Sequence, residues 1–121
     1  MFAGISGDWT ELHANAEYVK NSPFGQIIAH GMLTLSVTSG LALRQRKNNS
    51  LRKVIAFLGM DNVKFTAPVF MGNTIKVELE VLEARPSKSR LDAGILKFRN
   101  IVKNHRDEVV AIYETALIVR A

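Results

Sequence analysis

In Ser-Gly-Asp-Trp-Thr-Glu-Leu-His, residues 6–13, Asp8 and His13 stand five positions apart. A carboxylate and an imidazole are groups from which acid–base chemistry near neutral pH is built, one holding a proton while the other moves it. The spacing sets a condition. Five residues of α-helix turn through about 500°, which leaves the two side chains about 140° apart. In a strand the odd offset places them on opposite faces. They meet at one small molecule only if the segment between them bends, and Gly7 with Thr10 favours a bend. The same residues also support a reading without chemistry. Asp8-Trp9-Thr10-Glu11 fits a capping box in which Asp8 bonds the amide of Glu11, followed by a surface histidine.

The elements around this stretch follow from the pattern of residues. Asn15 is placed to cap a short helix over 16–21, which Ser22-Pro23 stops. From about Gly31 to Lys47 apolar residues (Met32, Leu33, Leu35, Val37, Leu41, Leu43) alternate with small ones. A helix apolar nearly all round predicts burial, with Arg44, Arg46 and Lys47 at its negative end. Four strands follow. The first covers 53–66, bent near Gly59, and Gly72-Asn73 turns the chain into the second. Over 74–85 Ile75, Val77, Leu79 and Val81 take one face and Lys76, Glu78 and Glu80 the other. Residues 90–104 and 109–121 supply the last two, joined around His-Arg-Asp-Glu. A long helix ahead of an antiparallel sheet with one apolar face predicts an α+β domain in which the sheet curls around the helix.

With 121 residues, 47% of them apolar and 22% charged, the chain reads as one globular domain, 1–121. It has no cysteine, so thiolate chemistry and disulfides are excluded. The first residues lack a basic secretory leader. The stretch 27–43 is too polar for a membrane span; the expected location is the cytoplasm. The formal charge of +5 gathers in 44–53 and 85–90. Aromatics are not interleaved with these basic runs, so nucleic acid is not the expected partner. Three scattered histidines without cysteine give no metal signature.

Read together, residues 2–19 (Phe-Ala-Gly-Ile-Ser-Gly-Asp-Trp-Thr-Glu-Leu-His…) and 24–41 (Phe-Gly-Gln-Ile-Ile-Ala-His-Gly-Met-Leu…Ser-Gly-Leu) resemble the hydratase motif region of the MaoC-like dehydratases, the family of the (R)-specific enoyl-CoA hydratases. Phe2, Ile5, Ser6, Gly7, Asp8, Leu12 and His13 occupy the motif's positions. Ala29 to Leu33 with Ser39 to Leu41 resemble the start of the family's central helix. Residues 65–81 are similar to its aromatic-x-x-Pro-Val landmark. The chain departs from the pattern at Thr10-Glu11, where the family has Asn-Pro, so the bend is less rigid and an extra acid lies beside it. It also begins at the motif, so the family's N-terminal strand is missing from this reading.

The resemblance implies a hot-dog fold, a helix wrapped by a curved antiparallel sheet. It implies reversible hydration of 2-enoyl-CoA or acyl-carrier thioesters to (R)-3-hydroxyacyl thioesters. Asp8 and His13 would hold and activate water, and the backbone N–H of Gly31 would hold the thioester oxygen. The first turn of a helix has free N–H groups and partial positive charge. Ser39 matches a position that orients the catalytic acid, or else it only packs. His30 orients the Gly31 turn or lines the pocket. CoA enters as part of the substrate, with no separate cofactor, and a homodimer or higher assembly is expected. Arg44, Arg46, Lys47, Arg52, Lys53, Arg85, Lys88 and Arg90 are candidates for its phosphates. Two alternatives stand beside this one: a hot-dog acyl-CoA thioesterase, or a non-catalytic thioester-binding subunit. A thioesterase would carry an acid on the helix, and residues 28–39 have none.

Overall fold

The computed structural model describes residues 1–45 and 53–120. Three short helices open the chain: α1 (Phe2–Ser6), α2 (Glu11–Ala14) and α3 (Ala16–Val19). The long helix α4 (Gly31–Leu43) follows, then β1 (Val54–Phe65), β2 (Ile75–Pro86), β3 (Ala93–Asn104) and β4 (Val109–Arg120). The strands form one antiparallel sheet in the order β1-β4-β3-β2. This is the hot-dog arrangement, with α4 against one face of the sheet.

The alternation that marks β3 as half-buried is visible in its packing. Phe98, Asn100, Val102 and Asn104 are buried, and the residues between them are partly exposed. Leu35 of α4 packs into the core formed by Val102, Val110, Ala111 and Tyr113, to which Ile75 and Val77 of β2 add. Buried Tyr113 also pins helix to sheet, its hydroxyl lying 2.7 Å from Thr38 Oγ1. Thr38 Oγ1 sits 2.8 Å from the Thr34 carbonyl, which can only accept. The Thr38 proton is therefore spent on the helix, and Tyr113 donates.

Several expectations change. Helix α4 ends at Leu43, with Arg44 as its C-cap; Arg46, Lys47 and Arg52 lie outside the described residues. Nor is α4 buried all round. Thr34, Leu35 and Thr38 face the sheet, while Met32, Val37 and Leu43 are exposed, because one sheet covers only one side of a helix. The β2 alternation stops after Leu79. A register shift between Val81 and Glu83 interrupts the ladder, and Val81 is 58% exposed. Strand β1 is an edge with three such shifts, and Asn62 within it has a φ of 51°. Gly72, with a φ of 85°, makes the turn into β2. Between β3 and β4 the Asn104 carboxamide oxygen accepts from the amides of Arg106 and Glu108, fixing a hairpin whose Asp107 has a φ of 61°.

Candidate active site

Ser6-Gly7-Asp8 does bend. Gly7 ends α1 in the left-handed region, with a φ of 76°, where a residue with a Cβ is strained. Beyond it Asp8 Oδ1 accepts from Thr10 N at 3.1 Å and from Thr10 Oγ1 at 2.5 Å. The capping box is thus not what forms: Asp8 makes an Asx turn onto Thr10, and the N-cap of α2 is Thr10, with no side-chain cap bond. Two residues of separation close a tighter ring than three, and the Thr10 hydroxyl adds a second donor. These two bonds lead the causes that hold the Asp8 carboxyl below the usual carboxylate value, with smaller help from His30 and His13. Asp8 is exposed.

Helix α2 carries His13 across the turn. Its Nδ1 lies 2.8 Å from the Ile28 carbonyl, and a carbonyl only accepts, so Nδ1 carries the proton and Nε2 is left with the lone pair in the neutral ring. The segment at Ile28 is held in place from both sides. Ile28 N bonds Leu12 O at 3.2 Å, and Ala29 N bonds Val69 O at 2.7 Å. His30, 7% exposed, stacks on His13 with ring centroids 4.0 Å apart and donates from Nε2 to the Asp8 backbone carbonyl at 2.9 Å. Phe2 meets the other side of His30 edge-on at 5.0 Å. One histidine therefore ties together the bend, the general-base candidate and the start of α4, of which it is the N-cap.

The first two N–H groups of α4 belong to Gly31 and Met32. The helix's own bonds to the His30 carbonyl begin only at Leu33 and Thr34. A Cβ at position 31 would lie 2.7 Å from Phe65 Cζ, so the ring of Phe65 covers a space that only glycine leaves open. Together Asp8, His13, His30, Gly31 and Phe65 line a cavity of about 290 Å³.

The same cluster has the residue types of a cation site. Asp8, His13 and His30 each place a ligating atom within 4.8 Å of the others. Their orientation fits one poorly. The two imidazole planes are only 25° apart, so their in-plane lone pairs run side by side rather than converging at bonding distance. Each ring is also fixed through its other nitrogen.

A family profile described as "MaoC like domain" matches residues 1–104. The chain belongs to the MaoC-like family. It is 34% identical over 87 residues to an (R)-specific enoyl-CoA hydratase of Aeromonas caviae, covering 72% of this chain and 61% of that one. It is 37% identical over 78 residues to Protein MaoC of Klebsiella aerogenes, covering 64% of this chain and 22% of that one. A solved Archaeoglobus structure, described as a monoamine oxidase regulatory protein, superposes with a TM-score of 0.88 at 35% identity, covering 98% of this chain and 77% of that one. The chain thus spans less than two thirds of the length of these curated relatives. Solved neighbours share its hot-dog fold.

Within this MaoC-like domain the remaining candidates fall apart from the cluster. Ser39 donates to Ser36 O at 2.9 Å and is exposed. It borders a second cavity and does not line the Asp8–His13 one. Eight residues past Gly31 is about 12 Å along the helix axis, beyond the reach of the Asp8 loop. Of the basic candidates, Arg85 pairs with Glu83 and Arg90 with Asp92, while Arg44, Lys53 and Lys88 are exposed. Thr10 is expected from the sequence to favour the bend; its two bonds to Asp8 are the added finding, and Asp-x-Thr is a local signal for them. Phe65 is expected as the aromatic of the landmark over 65–69; that its ring closes over Gly31 depends on a contact from a distant strand.

Proposed function

We propose that this MaoC-like domain adds water reversibly across the C2–C3 double bond of 2-enoyl thioesters, giving (R)-3-hydroxyacyl thioesters. One observation carries the reading: a carboxylate and an imidazole held through Nδ1, which leaves Nε2 free, line one cavity with the first N–H groups of α4, which no backbone carbonyl among the described residues occupies. Water sits between the Asp8 carboxylate and His13 Nε2. Nε2 takes its proton, the hydroxide oxygen bonds to C3, and the double-bond electrons move onto the thioester oxygen. That oxygen, now enolate-like, is held by the N–H of Gly31. C2 then takes a proton from Nε2, so one water is added and both side chains are restored.

The acyl chain runs into the second cavity, about 400 Å³, which opens between α4 and the sheet past Met32 and Leu35. It is lined mainly by apolar side chains, as a thioester tail requires. The exposed faces of α4 and β1 are covered by a second copy, making a homodimer. Absorbance of the enoyl thioester with crotonyl-CoA tests the reaction. Asp8→Asn and His13→Ala should each stay folded and lose a hundredfold or more of the rate, since positioned acid–base groups contribute about 10²–10⁴. Full activity in both variants removes the assignment. Thiol release without hydration identifies a thioesterase instead.

A further inference from the structure

The 400 Å³ cavity carries Ser36 and Ser39 on its helix wall, each donating to a carbonyl of α4; its sheet wall is mainly apolar and holds one polar pair, which the reaction above does not need. Asn100 is 2% exposed at the centre of β3, between Phe98 and Val102. Its Nδ2 bonds the Tyr113 carbonyl at 3.2 Å and Thr115 Oγ1 at 3.1 Å. A carbonyl accepts only, so the amide orientation is fixed, and the group left over is the carboxamide oxygen Oδ1. It has no partner among the described residues, yet it is not a buried unsatisfied atom; what surface it keeps belongs to a residue lining this cavity. Thr115, which also lines the cavity, accepts from Asn100 and donates to nothing among the described residues. An acceptor and a donor thus stand next to each other in an oily wall. A carboxamide oxygen becomes unfavourable once a plain hydrocarbon chain displaces water from it, and the apolar isosteres that would line a purely aliphatic tunnel are absent at these two positions.

We infer that Asn100 and Thr115 form a subsite for a hydroxyl group carried on the acyl chain beyond the reacting carbons, so that this domain selects hydroxylated 2-enoyl thioesters over plain ones. One hydroxyl satisfies both atoms, donating to Asn100 Oδ1 and accepting from Thr115 Oγ1. The subsite lies well away from C2 and C3. Tyr113, paired with Asn100 across the ladder, bonds Thr38, seven residues and so about 10 Å along the axis from Gly31. The ligand class rests on the thioester reading, but binding at this wall is separable from turnover.

The test compares 2-octenoyl-CoA with the three isomers hydroxylated on its last three carbons, and the corresponding saturated acyl-CoAs in equilibrium calorimetry. At least one hydroxylated isomer should bind about tenfold tighter than the plain chain and be hydrated with a correspondingly higher kcat/KM. Asn100→Leu should abolish that preference while leaving plain 2-octenoyl-CoA hydrated. Thr115→Val, which keeps the carboxamide oxygen and removes only the donor, should reduce the preference and covers the case in which Asn100→Leu does not fold. Hydration of all substrates with no preference overturns the subsite and leaves the reaction standing; the polar pair then seats water only. Tighter binding of a hydroxylated saturated chain with no hydration of any substrate keeps the subsite and overturns the reaction. A preference that survives both substitutions overturns the assignment to these residues.

Discussion

His13 is gripped by the nitrogen that the proposed reaction does not use. Its Nδ1–H is committed to the Ile28 carbonyl, and the stacked ring of His30 stops the imidazole from turning, so Nε2 is presented to the cavity. Asp8 is handled in the same way: Oδ1 is occupied by Thr10, and its other oxygen has no partner among the described residues. The Thr10 bonds also set its titration. A carboxyl whose folded pKa lies below the ordinary 3.8 adds stability that is present above that value. That stability is lost as pH falls through the lower, folded pKa. The carboxylate form therefore survives to more acid pH than an ordinary aspartate. Thr10→Val removes the largest cause and leaves the backbone N–H, so the midpoint should move up toward the ordinary value. NMR titration of the Asp8 carboxyl carbon reads this directly. An unmoved midpoint would mean that the hydroxyl contact has no electrostatic role.

At the level of elements, α4 has two tasks that draw on different parts of it. In the proposed reaction its first turn offers N–H groups to a substrate, and its second and third turns bind the sheet through Leu35, Thr38 and Tyr113. The Tyr113–Thr38 bond is buried, and burial raises the Tyr113 pKa, so the phenol stays neutral and donating across the working pH range. Tyr113→Phe should lower unfolding free energy by about 1 kcal/mol, the usual net value of one such bond, measured by urea denaturation. A loss of several kcal/mol would show that the hydroxyl holds more of the core than this one contact. The ion pairs on the sheet's other face, such as Lys103–Glu78 and Arg99–Glu80, are solvent-exposed at 3.2 Å. They should contribute little by comparison.

For the whole molecule, the apolar surface left outside is the feature that a single copy does not account for. Met32, Val37 and Leu43 on α4 are exposed, as are Ile55, Phe57, Leu58 and Val63 on β1. Two of the sheet's sides, β1 and β2, are open edges. Exposed edges with large apolar side chains invite pairing. We expect a dimer in sedimentation at micromolar concentration. Leu58→Asp, 55% exposed and outside both cavities, should shift it toward monomer. A wild-type monomer across the accessible range would leave the α4 and β1 faces without the partner proposed for them.

Local chemistry made much of this legible in the chain itself. Strand positions followed from alternation in 74–85, the α3 cap from Asn15, which accepts from Glu17 and Tyr18 amides, and the bend at Asp8 from the awkward spacing to His13. These depend on neighbours within a few residues, which sequence specifies directly. The choice between a cap and an Asx turn at Asp8 is local too, decided by the two donors of Thr10. Two features waited for the tertiary structure. The double part of His30, bonding Asp8 and stacking on His13, needed a contact across 22 residues. Ser39's separation from Asp8 followed from how α4 points relative to the loop. Sequence names the groups and their local geometry. Which of them share a cavity is set by long-range packing, where a rotation of one helix decides what a side chain meets.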